Sequence, residues 1–436
     1  MSEPLPRLTG DPFQALESLS PRGVRLGLQS MREILQRLGH PERKVPRVLV
    51  AGTNGKGSVA ATLSAICREA GIRSGLHTSP HLIDLTERIR IEDQDVDRAS
   101  LGSALERVLR AAAERPAVPV TYFEAVTAAS ELLFLEENCE FAVVEVGLGG
   151  RLDATNAGDP ALSIVASIGL DHIEDLGGTV EAIAREKAGT FRKGRPAICG
   201  GSDPVALRVL SEEARRSGAR FIAAESSIRI SGCTETSSGQ AFRLETPREI
   251  YEIRTPLRGA HQAGNVGVAV LAAEELGALD RRFSREAIGR GVERTRWPGR
   301  LEAYPVEGRV IWLDGCHNPA GAAAVSEFFE DRPPFDLLFG AMEDKDIAGI
   351  AQALFPLARR IILTAPAVGR AASPESLQRL LSSLRADTEL AVSSAEGMEK
   401  ILRGGSPEAL VAGSLFLVGE ARRFLLDMSI PAAARA

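Results

Sequence analysis

The seven residues Gly52-Thr53-Asn54-Gly55-Lys56-Gly57-Ser58 carry the clearest chemistry in this chain. Glycines let a backbone curl until successive N–H groups point inward, and a lysine among them adds a point charge. That combination suits phosphate. Lys56 would meet the outer phosphates of a nucleotide, and Ser58 or Thr53 could reach a magnesium-bound oxygen. The common phosphate loop ends Gly-Lys-Ser/Thr, whereas here Gly57 separates Lys56 from Ser58.

Such a loop needs a strand before it and a helix after it. Val48 to Ala51 is a short apolar run that reads as a buried strand, and Val59 to Ile66 takes up a helical pattern whose N-terminus adds positive potential. Leu26 to Leu38 is a helix stopped at Gly39. Ser74 to His77 reads as a strand, Thr78 to Leu82 as a loop, and Glu87 to Ile91 as another strand. Helices follow around Leu101 to Ala113 and Phe123 to Leu135, then buried strands at Phe141 to Val146 and Leu162 to Ile168. Strands alternating with helices predict a doubly wound α/β sheet, where ligands bind beyond the carboxyl ends of the strands. The glycine loop, Ser79, Glu145 and His172 all fall at such ends.

Ile228 to Ile253 lacks helical periodicity and reads as short antiparallel strands, and His261 to Glu275 as a helix. Trp297-Pro298-Gly299-Arg300 breaks the pattern, which sets the expected domains at 1–298, a P-loop ATPase domain, and 299–436, a smaller Rossmann-like α/β domain. In the second, Val310 to Asp314, Leu337 to Gly340, Ile361 to Thr364 and Leu415 to Val418 read as strands.

The bulk numbers narrow the classes. A chain of 436 residues exceeds one hydrophobic core, so more than one domain is expected. A net charge of -6 without a long Lys/Arg run points away from nucleic acid and anionic membranes. Five cysteines without a CxxC pair fit neither a disulfide framework nor a zinc site, and suit buried thiols in a reducing cytoplasm. The polar stretch Met1 to Asp11 has no apolar core of a signal peptide, and the Ala-rich C-terminal tail reads as frayed. A cytoplasmic, monomeric protein is the expectation.

Further motifs stand in order along the chain: Thr78-Ser79-Pro80-His81-Leu82 with Glu87-Arg88-Ile89, Thr121-Tyr122-Phe123-Glu124, and Glu145 to Asn156 (EVGLGGRLDATN). Then come Asp171-His172, Glu186-Lys187-Ala188-Gly189, His261-Gln262 with Asn265, Trp297 to Arg300, and Asp314-Gly315-Cys316-His317-Asn318-Pro319. With these, the chain resembles the folylpolyglutamate synthase/dihydrofolate synthase family, a branch of the Mur-type amide ligases. The extra Gly57 is what this branch has.

The resemblance implies ATP-dependent ligation of L-glutamate to dihydropteroate, to tetrahydrofolates carrying glutamate, or to both, through an acyl phosphate. It implies ATP contacts at Gly52, Thr53, Asn54, Gly55, Lys56, Gly57, Ser58, Asn265, Arg300, Asp314 and His317, with ATP between the domains. Ser79, Glu145, His172 and Lys187, the last as a carbamate, match its magnesium ligands for one or two ions, with potassium as a further candidate. Lys56, His317 and Lys187 are the expected catalytic groups. Gly27, Leu28, Gln29, Thr121, Phe123, Glu124, Leu152, Asp153 and Ala154 match the pteroate/folate pocket, although Gln29 stands where an acidic residue is common. Two rival readings are a Mur-type ligase of cell-wall precursors and a P-loop ATPase that makes no amide bond. Against the first, only about fifty residues precede the glycine loop. The second leaves Asp314 and His317 without a role.

Overall fold

The computed structural model describes residues 10–20 and 25–429. Most of the polar N-terminal stretch (residues 1–9) and the Ala-rich tail (residues 431–436) lie outside the described residues. The chain divides into two compact units. The first comprises residues up to Ser79, Leu85–Pro256 and Gly264–Arg296; the second comprises Pro80–Asp84, Leu257–Ala263 and Trp297 onward.

The first unit is built on eight strands: β1 (Arg47–Ala51), β2 (Ser74–His77), β3 (Ile89–Ile91), β4 (Gln94–Asp95), β5 (Phe141–Glu145), β6 (Leu162–Val165), β7 (Pro196–Cys199) and β8 (Arg220–Ala223). Their order is β4-β3-β2-β5-β1-β6-β7-β8, parallel except for the β2–β3–β4 edge. β1 lies inside the sheet, between β5 and β6, and every residue of it is buried. This placement explains its unbroken apolar run, since a parallel strand covered on both faces has no polar side. One buried charge anchors its start. Arg47 is fully buried, and its guanidinium pairs with the Glu131 carboxylate at 2.8 Å and with the Glu42 carbonyl at 2.6 Å. A buried pair of this kind fixes register more than it adds stability.

Helices cover both faces. Lys56–Glu69 is buried from Gly57 to Cys67, so its apolar pattern goes nearly all round rather than forming one stripe. Arg98–Ala113 and Tyr122–Glu136 pack together elsewhere in the unit. A three-stranded antiparallel sheet, β9 (Arg229–Thr236), β10 (Gly239–Glu245) and β11 (Ile250–Thr255), follows in the order β11-β10-β9.

The second unit holds a six-stranded sheet: β12 (Glu302–Val306), β13 (Arg309–Leu313), β14 (Phe335–Phe339), β15 (Ala358–Leu363), β16 (Glu389–Leu390) and β17 (Glu408–Ala412), ordered β12-β13-β17-β14-β15-β16. Only β12–β13 is antiparallel. Both units are therefore α/β, as expected.

Some elements differ from expectation. Leu415 to Val418 is not a strand but the first turn of the helix Leu415–Ser429, and the strand lies just before it at β17. A four-residue apolar run cannot separate a buried strand from a buried helix. Burial of Leu417, Val418, Ala421 and Leu425 shows the helical spacing that decides it. Glu87 and Arg88 belong to a 3₁₀ turn, Leu85–Arg88, and the strand starts only at Ile89. β6 ends at Val165, three residues early, because Ser167 turns its groups toward the glycine loop. Of the five cysteines, Cys67, Cys139, Cys199 and Cys316 are buried free thiols, while Cys233 is exposed. Among the described residues, no helix is long and apolar enough to cross a membrane.

Candidate functional site

The glycine loop follows β1 directly. Thr53 N–H donates to the Ser167 carbonyl at 2.8 Å, Asn54 N–H to Ser167 Oγ at 3.0 Å, and Ser167 Oγ to the Asn54 carbonyl at 2.9 Å. The first half of the loop is thus pinned to the end of β6. Gly55 caps the helix at φ +81°, a left-handed conformation natural to glycine, and offers no side-chain cap to the first N–H groups. A fourteen-residue helix with an uncapped N-terminus at such a loop is a site for an anion.

Two candidate hydroxyls behave differently. Thr53 Oγ1 donates to the Gly169 carbonyl and accepts its N–H, both at 3.0 Å. Ser58 Oγ is buried with no hydrogen-bond partner among the described residues. Buried hydroxyls ordinarily find partners, so the unpaired Ser58 Oγ fits a site that takes a metal-bound or phosphate oxygen. Ser58, not Thr53, is the better-placed hydroxyl.

Two amines share one carbonyl. Lys56 Nζ donates to the Gly52 and Thr53 carbonyls at 3.1 Å each, and Lys187 Nζ donates to the Gly52 carbonyl at 2.9 Å. Lys187 is buried at 4% exposure. Burial, and then the charge of Lys56, pushes its ammonium down to about 7, against the weaker pull of Asp171 and Asp153.

Close backbone approach places Lys187. A Cβ on Gly150 would lie 2.7 Å from the Glu186 carbonyl, and one on Gly189 would lie 2.2 Å from the Arg151 Cβ. Arg151 N–H donates to the Glu186 carbonyl at 2.8 Å, and the Asn156 amide bridges the carbonyls of Arg151 and Gly189 at 3.1 Å each. The Glu145–Asn156 segment and the Glu186–Gly189 segment are therefore one knot, with Lys187 aimed from it at the loop.

Glu145 closes β5, 4% exposed, and its Oε2 accepts the Ser79 N–H at 3.2 Å. His172 sits after β6 at φ +49°, 40% exposed in its side chain, with Nε2 3.9 Å from Asp171 Oδ1. Among the described residues no three His, Cys, Asp or Glu side chains converge as a metal centre. Glu145, Ser79 and Ser58 each carry the oxygen type that a hard cation takes. Asn265 faces the loop: a Cβ on Gly55 would come within 2.4 Å of its Oδ1.

The expected pteroate residues divide by role. Thr121 and Glu124 form a capping box: Thr121 Oγ1 accepts the Glu124 N–H at 3.2 Å, and Glu124 Oε2 accepts the Thr121 N–H at 2.8 Å. Arg25 Nη2 also reaches both Glu124 oxygens at 3.2 and 3.3 Å, and the Pro119 carbonyl and Ser30 Oγ at 2.6 Å. Asp153 is likewise committed, accepting the N–H groups of Leu148 and Thr155 at 2.8 and 3.0 Å. Burial raises its carboxyl above the usual range. Gly27 N–H donates to the Leu152 carbonyl at 3.2 Å. An open cleft of about 860 Å³ brings together Leu28, Gln29 and Leu152 with Arg32, Glu33 and Arg151. Ala154 is buried, and the half-buried Phe123 ring lies over Gly147, where a Cβ would meet it at 2.5 Å.

Arg25, unnoticed in the sequence, is thus the staple that joins the Gly27–Gln29 segment to the cap of the helix Tyr122–Glu136. Replacing it with alanine should raise the KM for a pteroate substrate roughly 10-fold while leaving the KM for ATP within twofold. The melting temperature should fall little, since a partly exposed ion pair contributes about 1 kcal/mol or less. Initial-rate kinetics over both substrates would check the split.

The second unit carries its own cluster. Asp314, 3% exposed, accepts Leu301 N–H on Oδ2 at 2.9 Å and Cys316 N–H on Oδ1 at 2.8 Å. Gly315 N–H donates to the Gly299 carbonyl at 2.9 Å, so the Trp297–Leu301 turn and the end of β13 are sewn together. Arg300 lies over Gly315, where a Cβ would come 2.4 Å from its Nη1. His317 Nδ1 is 2.9 Å from the Gly315 carbonyl. A carbonyl only accepts, so Nδ1 carries a proton.

A largely parallel sheet with a lysine-bearing glycine loop at a strand end defines a nucleotide-phosphate-binding α/β protein. Residues 50–273 match the Mur ligase middle domain, and residues 299–414 match the Mur ligase glutamate ligase domain. The Bacillus subtilis dihydrofolate synthase/folylpolyglutamate synthase is 34% identical over 419 residues, 92% of this chain and 96% of that protein. A probable bifunctional folylpolyglutamate synthase/dihydropteroate synthase of Haloferax volcanii is 36% identical over 92% of this chain, which spans only 48% of that longer protein. Among solved structures, Mycobacterium tuberculosis folylpolyglutamate synthase complexed with ADP superposes with a TM-score of 0.87 at 28% identity, covering 95% of this chain and 99% of that one. The Yersinia pestis bifunctional folylpolyglutamate synthase/dihydrofolate synthase complexed with AMPPNP and Mn ion gives 0.84 at 29% identity, covering 97% and 99%. The chain belongs to the dihydrofolate synthase/folylpolyglutamate synthase family of Mur ligases.

Proposed function

We propose that this chain ligates L-glutamate to the carboxylate of dihydropteroate, of a tetrahydrofolate already carrying glutamate, or of both, driven by ATP. The observation that carries this reading is the loop: an uncapped helix N-terminus, Lys56 on the loop carbonyls and the unpaired Ser58 hydroxyl, in a chain with both Mur ligase domains. A substrate carboxylate oxygen attacks the γ-phosphorus, and the bond to ADP breaks. The glutamate amine then attacks the acyl carbon, releasing phosphate and a proton.

In this reading Lys56 swings from the Gly52 and Thr53 carbonyls to the β- and γ-phosphate oxygens, as charge develops there. Asn265, Arg300, Asp314 and His317 contact the nucleotide, and Gly27, Leu28, Gln29, Phe123, Leu152 and Ala154 line the pteroate side. Thr121, Glu124 and Asp153 act by holding that side in shape, because their polar groups are committed to backbone and to Arg25. Magnesium, as one or two ions held by Ser79, Glu145, His172 and Lys187, would neutralise the triphosphate; potassium is a further candidate ion. The domains are assigned as 1–298 for ATP and 299–436 for glutamate ligation, in a cytoplasmic monomer that binds neither nucleic acid nor membrane.

Phosphate release measured against ATP, glutamate and each of dihydropteroate, tetrahydrofolate and 10-formyl-tetrahydrofolate tests the reading, with product mass as the second readout. Release should need both glutamate and a pteroate or folate. ATP hydrolysis indifferent to both would favour a P-loop ATPase instead.

Lys187 carries its own expectation. Carbamylation joins a neutral amine to CO2 and releases one proton, giving an anionic oxygen donor where an ammonium would repel the cation. The buried setting beside Lys56 favours the neutral amine, and occupancy should rise with pH through about 7 and with CO2. The sign follows from the lowered value, since a larger share of the amine is unprotonated above it. With ¹³CO2, an NMR carbamate signal should appear that Lys187→Met removes. Its absence at pH 8.5 under saturating CO2, with ATP and magnesium present, would sink the assignment.

A further inference from the structure

The glycine loop is gripped by a serine to which the chemistry above gives no part. Ser167 stands just past the end of β6 at Val165 and meets three consecutive peptide planes of the loop. Its carbonyl accepts the Thr53 N–H at 2.8 Å. Its Oγ accepts the Asn54 N–H at 3.0 Å and donates to the Asn54 carbonyl at 2.9 Å. Both peptide groups of Asn54 therefore point to one side, toward Ser167.

This fixes what faces the other side. The peptide bonds flanking Asn54 are trans, so across each of them the N–H and the C=O point in opposite directions. The Thr53 carbonyl must then face away from Ser167, and there it takes the Lys56 ammonium at 3.1 Å. By the same rule the Gly55 N–H faces away from Ser167, on the side of Lys56. An anion on that side meets a donor. With the Asn54–Gly55 peptide turned over, it would meet a carbonyl instead. Gly55 itself offers little resistance to such a turn, because glycine populates both signs of φ about equally. It stands at φ +81°, one of two accessible choices.

We propose that Ser167 is a positioning residue for the nucleotide: its hydroxyl locks the Asn54–Gly55 peptide with the N–H turned toward the phosphates. The inference rests on reading the loop as the phosphate cradle and deepens it. Without the hydroxyl, the loop divides between the binding orientation and the reversed one. The apparent Kd then rises by the inverse of the competent fraction, whereas bound nucleotide selects the same loop as before. The signature is a higher KM for ATP at nearly unchanged kcat. Loss of a group that touches the transferring phosphoryl, such as Lys56, strikes kcat instead.

The test compares the parent with Ser167→Ala, Ser167→Cys and Ser167→Thr by isothermal titration with magnesium ATP and by initial rates over all substrates. Ser167→Ala should raise the Kd and KM for ATP roughly 10-fold, as for a competent fraction of about a tenth. Its kcat, and its KM values for glutamate and the folate substrate, should stay within about twofold. Hydrogen exchange read by mass spectrometry should quicken around Thr53 to Gly55, and saturating ATP should slow it again. Ser167→Thr keeps the hydroxyl and should recover most of the affinity. Ser167→Cys, close to serine in size but a weak donor, should lose an intermediate amount, and it decides the question if Ser167→Ala fails to fold. ATP affinity within about twofold of the parent in the folded variants, beside a parent that binds ATP, overturns this inference alone. So does a fall in kcat as large as the rise in KM, or a rise in every KM together with a lower melting temperature. A parent that binds no ATP overturns it together with the phosphate-cradle reading.

Discussion

Lys56→Ala should abolish turnover, by roughly 10³-fold or more, and leave the fold standing. The magnitude follows from losing a positioned charge on the transferring phosphoryl group, where single electrostatic contacts carry two to several orders of rate. About 4 kcal/mol of transition-state stabilisation corresponds to such a drop. The structural cost is smaller. Lys56 gives up its hydrogen bonds to the Gly52 and Thr53 carbonyls, each contributing about 1–2 kcal/mol for a half-exposed charged donor. Removing its charge also relieves the repulsion with Lys187, which shares the Gly52 carbonyl. The variant should therefore melt within a few degrees of the parent and show a raised Lys187 pKa, hence less carbamate at neutral pH. Circular dichroism, phosphate release and the ¹³C signal measure the three consequences separately. Activity within a few-fold of the parent would remove Lys56 from the reaction, and the loop would then be a structural turn.

The loop could be read from sequence because its signal is local. Glycines, one lysine and an apolar run beside them are contiguous, and the strand and helix that frame them follow from the same fifteen or so residues. What decides the state of Lys187 is not local. Its burial comes from two glycines, Gly150 and Gly189, that let separate segments approach until a Cβ would collide. No periodicity records that approach. Thr121 and Glu124 present a different case: their spacing is that of a capping box, a signature available from the start, and it explains both side chains without a ligand. The family resemblance places them in the pocket, and the capping box is a second, local reason for the same two residues. His77 was legible as a strand residue, but nothing in its neighbours along the chain marks its ring as fully buried. The misread run Leu415 to Val418 shows the same boundary from the fold side, since four apolar residues carry no period of their own.

Gly55→Ala should be nearly as damaging as loss of the lysine, for a reason that separates backbone from chemistry. At φ +81° an alanine pays about 1–2 kcal/mol for the left-handed conformation. Its Cβ would also sit 2.4 Å from Asn265 Oδ1. Asn has a short side chain with two torsions, so the amide can swing away and the second cost in stability is modest. The functional cost is not, because the swing removes Asn265 from the loop and tilts the first N–H groups of the helix Lys56–Glu69. ATP affinity should fall by roughly 10²-fold, with stability lower by about 1–3 kcal/mol. A cycle with Asn265→Ala distinguishes the two contributions. If the clash matters to stability, the double variant should melt above Gly55→Ala alone, by the part of the loss that the collision caused. Nucleotide binding should not return, since Asn265 is then absent and the backbone strain remains. Restored ATP affinity in the double variant would mean that Asn265 obstructs rather than holds the nucleotide, and its assignment would have to be withdrawn.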